Sequence, residues 1–177
     1  MIMEFSELIK IRRSCRSYKE AKVSEEDIKE IILAAQQAPS WKNSQTGRYY
    51  VALSDEAIEN VFNALPNYNQ NSTKNAAYIV TSFVPGISGC SGQGDMEKEG
   101  DIWGGYDLGL QNAYMLLKAS ELGYDTLIMG LRDTEALRRY FDIPENEIIM
   151  AVVAIGKKNT EANMRPRKGL DEILKIK

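Results

Sequence analysis

Apolar positions recur along this chain at two spacings, and their order outlines a fold. Over residues 4–11, Phe5, Leu8 and Ile9 lie three and four apart, the spacing of one helix face, and the run ends in Arg12-Arg13. Ser24-Glu25-Glu26-Asp27 resembles a capping box with Asp in place of the usual Glu. Ile28, Ile31, Ile32 and Ala35 then share a helical face until Pro39 stops the pattern. Residues 48–53 read as a strand, followed by a short helix through Val61 and Phe62. A second strand, aromatic and β-branched, runs over 76–84 and is closed by Pro85-Gly86. The glycines at 86, 89, 92 and 94 mark a loop. The longest helix is expected over about 104–122, with Tyr106, Leu110, Ala113 and Leu117 on one stripe and Gly123 at its C′ position. A short buried segment over 126–129, a helix capped by Asp133 and carrying Ala136, Leu137 and Tyr140, and the most apolar strand, 148–155, complete the pattern. A charged tail follows and ends in a short amphipathic piece over 170–176.

Helices and strands alternate without a strict βαβ repeat, so the pattern predicts an α+β layer fold. At 177 residues, 44% of them hydrophobic, one core is affordable, and with no linker in view a single domain over 1–177 is expected. The 22 Lys and Arg against 25 Asp and Glu leave a net charge of −3, which argues against a non-specific nucleic-acid binder. No apolar run approaches the ~18–20 residues of a membrane span, and the first fifteen residues do not read as a secretory signal. Two cysteines, Cys15 and Cys90, suit a reducing compartment, and a cytoplasmic location is expected.

Histidine is absent. Ser-His-Asp and Cys-His catalysis and His-ligated zinc are thereby excluded. An enzyme of this composition moves protons without a protein imidazole, or leaves the difficult chemistry to a cofactor.

Three segments could carry chemistry. Arg12-Arg13-Ser14-Cys15-Arg16-Ser17-Tyr18 sets three guanidiniums and two serine hydroxyls within six residues, which suits a phosphate and equally a solvated basic turn. Arg165-Pro166-Arg167-Lys168 could converge with it on one anion, because chain termini are often close in space; alone it reads as a solvated tail. Between them, Ala38-Pro39-Ser40-Trp41-Lys42-Asn43-Ser44-Gln45 offers small amides and hydroxyls that suit a heterocycle edge or an ordinary helix-to-strand connection. The glycines at 86–94 do not have the GxGxxG spacing, and Gly156-Lys157-Lys158 lacks the rest of a P-loop. The acidic run 95–101 reads as a solvated surface.

Taken in order, these segments resemble the FMN-dependent nitroreductase family. RRSCRSY is similar to its Arg-Arg-Ser-x-Arg-x-Phe/Tyr signature, APSWKNSQ to its Pro-Ser-x-x-Asn-x-Gln segment, and Trp103 with Asp107-Leu-Gly-Leu-Gln-Asn112 to its helix start. Leu122-Gly123 through Met129-Gly130, and Ile155-Gly156, resemble its later strands. The resemblance implies a central mixed or antiparallel sheet flanked by helices, completed across a homodimer with flavin in the interface. It implies that Arg12, Arg13, Ser14 and Arg16 hold the FMN phosphate and ribityl end, with Arg165 and Arg167 completing the clamp. Pro39, Ser40 and Asn43 would come from the partner subunit, backbone groups of Met129 and Gly130 would lie near flavin N5, and Asn69 would bond the pyrimidine edge. The implied activity is ping-pong hydride transfer from NADH or NADPH through FMN to a small nitroaromatic, quinone or similar acceptor, with no nucleic acid, membrane or metal involved. Trp41 and Trp103 are candidate stacking surfaces. A non-catalytic flavin-binding sensor or store is the alternative. Two departures stand out. Thr46-Gly47 follows Gln45 where many members have Pro-Trp, and a family lysine near flavin N1 and O2 has no clear counterpart, since Ser72 aligns with it and Lys74 lies two residues on.

Overall fold

The computed structural model describes residues 4–90 and 101–177. Helix α1 (Phe5–Ile11) leads into the short strand β1 (Tyr18–Lys19), helix α2 (Glu25–Gln36), a 3-10 turn (Trp41–Asn43) and β2 (Gly47–Ala52). Helices α3 (Asp55–Asn63) and α4 (Asn67–Thr73) precede β3 (Ala77–Phe83). The long helix α5 (Ile102–Glu121), β4 (Asp125–Met129), α6 (Thr134–Phe141), β5 (Ile148–Lys158) and a final turn α7 (Leu170–Ile173) follow. Of the glycine loop and acidic run, positions 91–100 lie outside the described residues.

Strand β3 is central, antiparallel to β2 along Gly47↔Phe83 to Ala52↔Tyr78 and to β5 along Ala77↔Ile155 to Phe83↔Ile148. β4 pairs with β5 through Asp125↔Gly156 to Met129↔Val152, and β1 pairs with the end of β5 through Tyr18↔Lys158. The ladders are antiparallel, and one parallel bridge joins Ser14 to Thr126.

The two-residue alternation of a strand explains the layering. Ala77, Ile79, Val153 and Ile155 face Ile28, Ile31 and Ala35 of α2 and Met115 and Ala119 of α5. Their neighbours Tyr78, Val80, Val152 and Ala154 face Ala57 and Val61 of α3 and Leu137 of α6. Both faces are covered, so the β3 sequence AYIVTSF is buried throughout. Burial of each large aliphatic side chain contributes about 1.5–3 kcal/mol.

Local signals behave as their chemistry requires. Ser24 Oγ accepts the Asp27 N–H at 3.0 Å, and Asp133 Oδ1 accepts the Ala136 N–H at 2.9 Å. Gly123 ends α5 with φ +75°, the left-handed value that favours glycine at C′. Gly104 fits because an added Cβ would lie 2.5 Å from the Phe83 ring.

Two elements differ from expectation. Helix α4, NYNQNST, has no apolar period and is held by side chains instead: Thr73 Oγ1 donates to Asn69 O at 2.8 Å, and the Tyr78 hydroxyl donates to Thr73. In α5 the stripe Tyr106, Leu110, Ala113 and Leu117 is not the buried one; Tyr106 is 57% exposed. The buried face runs through Gly104, Asp107, Leu108, Gln111, Asn112, Met115 and Ala119, three of them polar.

Candidate functional site

Residues from the two ends of the chain meet beside β4. The β1–β5 pairing brings residue 17 against residue 159, whose N–H donates to Ser17 O at 2.8 Å, and Cys15 N–H donates to Thr126 O at 2.9 Å. The segments on either side enclose a cavity of about 350 Å³ lined by Ser14, Arg16, Ser17, residues 160–164, Arg165 and Pro166. Glu161 is on that wall but pairs with Lys158 at 3.0 Å. Arg12 is half-buried, and burial, then the nearby Arg167 and Arg13 charges, lower its proton affinity. Among the described residues, Arg12, Arg13, Arg16, Arg165 and Arg167 form no ion pair. Like charges crowded without a counter-charge favour an anion, and guanidinium forks match phosphate geometry.

A second group sits at the far end of β4. Asn69, buried on α4, donates from Nδ2 to the Leu131 carbonyl at 3.3 Å, next to Gly130. Met129 closes β4 with a buried side chain, whereas Gly130 is exposed and an added Cβ there would meet nothing within 4 Å. Three residues separate Thr126, beside Ser14, from Met129, or about 10 Å at strand rise. The two groups therefore share one edge of the molecule. Arg132 joins the second group: its guanidinium donates to the carbonyls of Gly130 and Ile149.

The third segment stands apart. Asp107, on the buried face of α5, accepts the Trp41 N–H at 2.9 Å and the Ser88 hydroxyl at 2.7 Å, and Ser88 bonds Ser44 at 2.7 Å. Ser40 Oγ accepts the Gln45 N–H at 3.1 Å. These contacts hold Lys42, Asn43 and Gln45 at φ +46°, +57° and +49°. Non-glycine residues in that region persist only where their surroundings over-determine them. Trp41 packs edge-on to Trp103 with centroids 5.7 Å apart. Among the described residues, no hydrogen bond joins Pro39, Ser40 or Asn43 to the other two groups of the same chain.

A concavity of about 1050 Å³ lies elsewhere, between α2 and the edge strand β2; Ile28, Ile32, Leu33, Val51 and Leu53 line it, and it contains none of the expected site residues. At its polar end Tyr49 donates to Gln111 at 3.0 Å, and burial pushes that phenol up to about 12.

A family model described as "Nitroreductase family" matches residues 9–83 and 66–157. The chain belongs to the nitroreductase family. It is 30% identical over 162 residues to a protein of Archaeoglobus fulgidus named as a candidate NADH dehydrogenase/NAD(P)H nitroreductase, covering 89% of this chain and 87% of that one. A nitroreductase family protein from Clostridium novyi, 25% identical, superposes with a TM-score of 0.75 over 96% of this chain and 91% of its own. A candidate nitroreductase of Exiguobacterium sibiricum, solved in complex with FMN, reaches a TM-score of 0.85 at 22% identity, covering 100% and 99%. The nitroreductase fold, α+β with an antiparallel sheet, is thus shared across the length of the chain.

The sequence singled out the arginines, the 38–45 segment and Asn69 as candidates, but not Arg132 or Ser88, which the structure adds to these groups. A single arginine before a helix cap carries no periodic or motif signal; only the fold puts it over the carbonyl of Ile149, 17 residues on.

Proposed function

We propose that this nitroreductase is an NAD(P)H-dependent FMN oxidoreductase that works as a homodimer, taking hydride from NADH or NADPH and passing electrons to a nitroaromatic, quinone or similar conjugated acceptor in a ping-pong cycle. The observation that carries the proposal is the approach of arginines from both ends of the chain, with Arg16 and Arg165 on one cavity and Arg167 close to Arg12, one strand length from the Met129-Gly130 segment.

In this reading Arg12, Arg13, Ser14 and Arg16, with Arg165 and Arg167, hold the phosphate and ribityl end. Asn69 and the backbone of Met129 and Gly130 orient the ring. FMN, when bound, supplies the hydride chemistry, which no protein side chain provides. Pro39, Ser40 and Asn43 approach the ring from the partner subunit, which accounts for a strained and tightly anchored loop. A second copy also supplies cover for the outward stripe of α5, the groove beside β2 and the exposed Leu170, Ile173 and Ile176 of the tail. The domain would then span the whole chain, in the cytoplasm.

The test is an absorption spectrum of the purified protein, before and after anaerobic addition of NADH or NADPH. A yellow protein that bleaches supports the proposal. A colourless protein that takes up no added FMN refutes it, and a yellow protein that neither nucleotide bleaches identifies a flavin-binding sensor or store.

A further inference from the structure

Where β4 ends at Met129, the chain must leave the sheet and cross to the cap of α6 at Asp133. The peptides in between are fixed from behind by side chains. Arg132 donates from one arm to Gly130 O and from the other to Ile149 O, in the part of β5 that β4 no longer covers. Asn69 donates to Leu131 O, so two consecutive carbonyls are both turned toward protein donors. The Asp133 N–H anchors the far side on Ala64 O at 2.7 Å. Peptide planes held by their carbonyls have their N–H groups directed the opposite way.

Arg132 has a second property. It is half-buried, and its Nε is buried with no hydrogen-bond partner. Among the described residues no carboxylate pairs with it. Burial also lowers its proton affinity. A guanidinium that merely closed a sheet edge would gain by pairing with an acid, and here an unneutralised charge is kept behind an exposed glycine.

We propose that Arg132 is a positioning residue of the flavin site: with Asn69 it fixes the Gly130–Leu131 and Leu131–Arg132 peptides, whose N–H groups, those of residues 131 and 132, turn away from these anchors toward the ring, and it places a positive charge behind them. This rests on the FMN reading above. Two-electron reduction of the ring adds negative charge, so a fixed cation and directed N–H groups favour the reduced over the oxidised cofactor.

The experiment is the two-electron midpoint potential of bound FMN in the wild type, Arg132→Met and Arg132→Lys, with hydrogen exchange of the backbone amides of residues 131 and 132 in the flavin-free proteins. Arg132→Met should retain oxidised FMN, because the phosphate clamp is untouched. Its reduced form should bind about tenfold more weakly relative to the oxidised form, a fall of about 30 mV for a two-electron couple. Arg132→Lys keeps the charge but cannot span two carbonyls as a planar fork. It should show a smaller fall and faster exchange at both amides. A potential within about 9 mV of wild type in Arg132→Met, which is a twofold affinity ratio, or an Arg132→Lys protein matching wild type in both measurements, overturns the proposal. Should Arg132→Met not fold, the lysine variant decides. If the wild type binds no FMN, it is the flavin reading that fails, and unchanged exchange in the apo variants then refutes the anchoring as well.

Discussion

Replacing Asp107 tests how a strained loop is maintained. The carboxylate is 2% exposed, and one oxygen accepts both the Trp41 N–H and the Ser88 hydroxyl. Holding three non-glycine residues at positive φ costs on the order of 1–2 kcal/mol each, less for Asn43. That cost is sustained only if the anchors outweigh it. In Asp107→Ala the Trp41 N–H loses its acceptor, worth about 1–3 kcal/mol, while the Ser88 hydroxyl can turn to Ser44. Losing the charge-assisted bonds and relieving the buried carboxylate partly offset each other. A net loss of about 2–4 kcal/mol results. Asp107→Asn retains an acceptor oxygen and should lose about half as much. Urea unfolding with an m-value of about 2 kcal/mol/M would then show midpoint falls of about 1–2 M for Ala and under ~1 M for Asn. In the flavin reading, FMN affinity should fall in the same order, because Ser40 and Asn43 move with the loop. Midpoints for both variants within about 0.25 M of wild type, at unchanged m, would refute the anchoring.

Arg12→Ala and Arg167→Ala should each weaken FMN binding by about 1.5–3 kcal/mol, roughly 10- to 150-fold, as read by flavin fluorescence after dialysis; unchanged affinity in both refutes the clamp. Sedimentation at sub-micromolar concentration should find a flavin-loaded dimer, and Leu110→Glu on the outward face of α5 should give a flavin-free monomer; a wild-type monomer that keeps its flavin contradicts this. Gly104→Ala should lower stability by about 1–3 kcal/mol, since the new methyl meets the buried Phe83 ring, and a melting temperature equal to wild type would count against that packing. Hydrogen bonds from Tyr124 (2.6 Å) and Ser24 hold the Asp27 carboxyl below the usual carboxylate range. A depressed folded value stabilises above the unfolded pKa of ~3.9 and is lost as pH falls. The stability gap between wild type and Tyr124→Phe should therefore be full near pH 6 and shrink below about pH 4, as urea titrations at several pH values would reveal.

What could be read from the chain was whatever short-range chemistry decides. Ser24 and Asp133 cap their helices because a side-chain oxygen three residues upstream reaches an orphan N–H. Gly123 ends α5 because its backbone tolerates positive φ. The strands of 76–84 and 148–155 were visible because burial on both faces demands continuous apolar runs, and clustered arginines were visible by composition. Helix α4 was not, because it is held by Thr73, Asn69 and Tyr78 rather than by an apolar stripe. The roles of the two faces of α5 were not either: Asp107 and Gln111 are buried because Trp41, Ser88 and Tyr49 satisfy them, partners 19 to 66 residues away.

The amino-acid order by itself determined most of the elements, the caps that begin or end several of them, the absence of imidazole chemistry and the inventory of clustered arginines. The tertiary structure alone decided which of those side chains share a site. Pairing of β1 with the end of β5 brings the Arg12–Arg16 and Arg165–Arg167 segments together, and the departure of β4 from the sheet at Met129 leaves a carbonyl for Arg132. Hydrogen-bond registers between distant strands depend on the packing of both sheet faces at once, and no local stretch of residues carries that information.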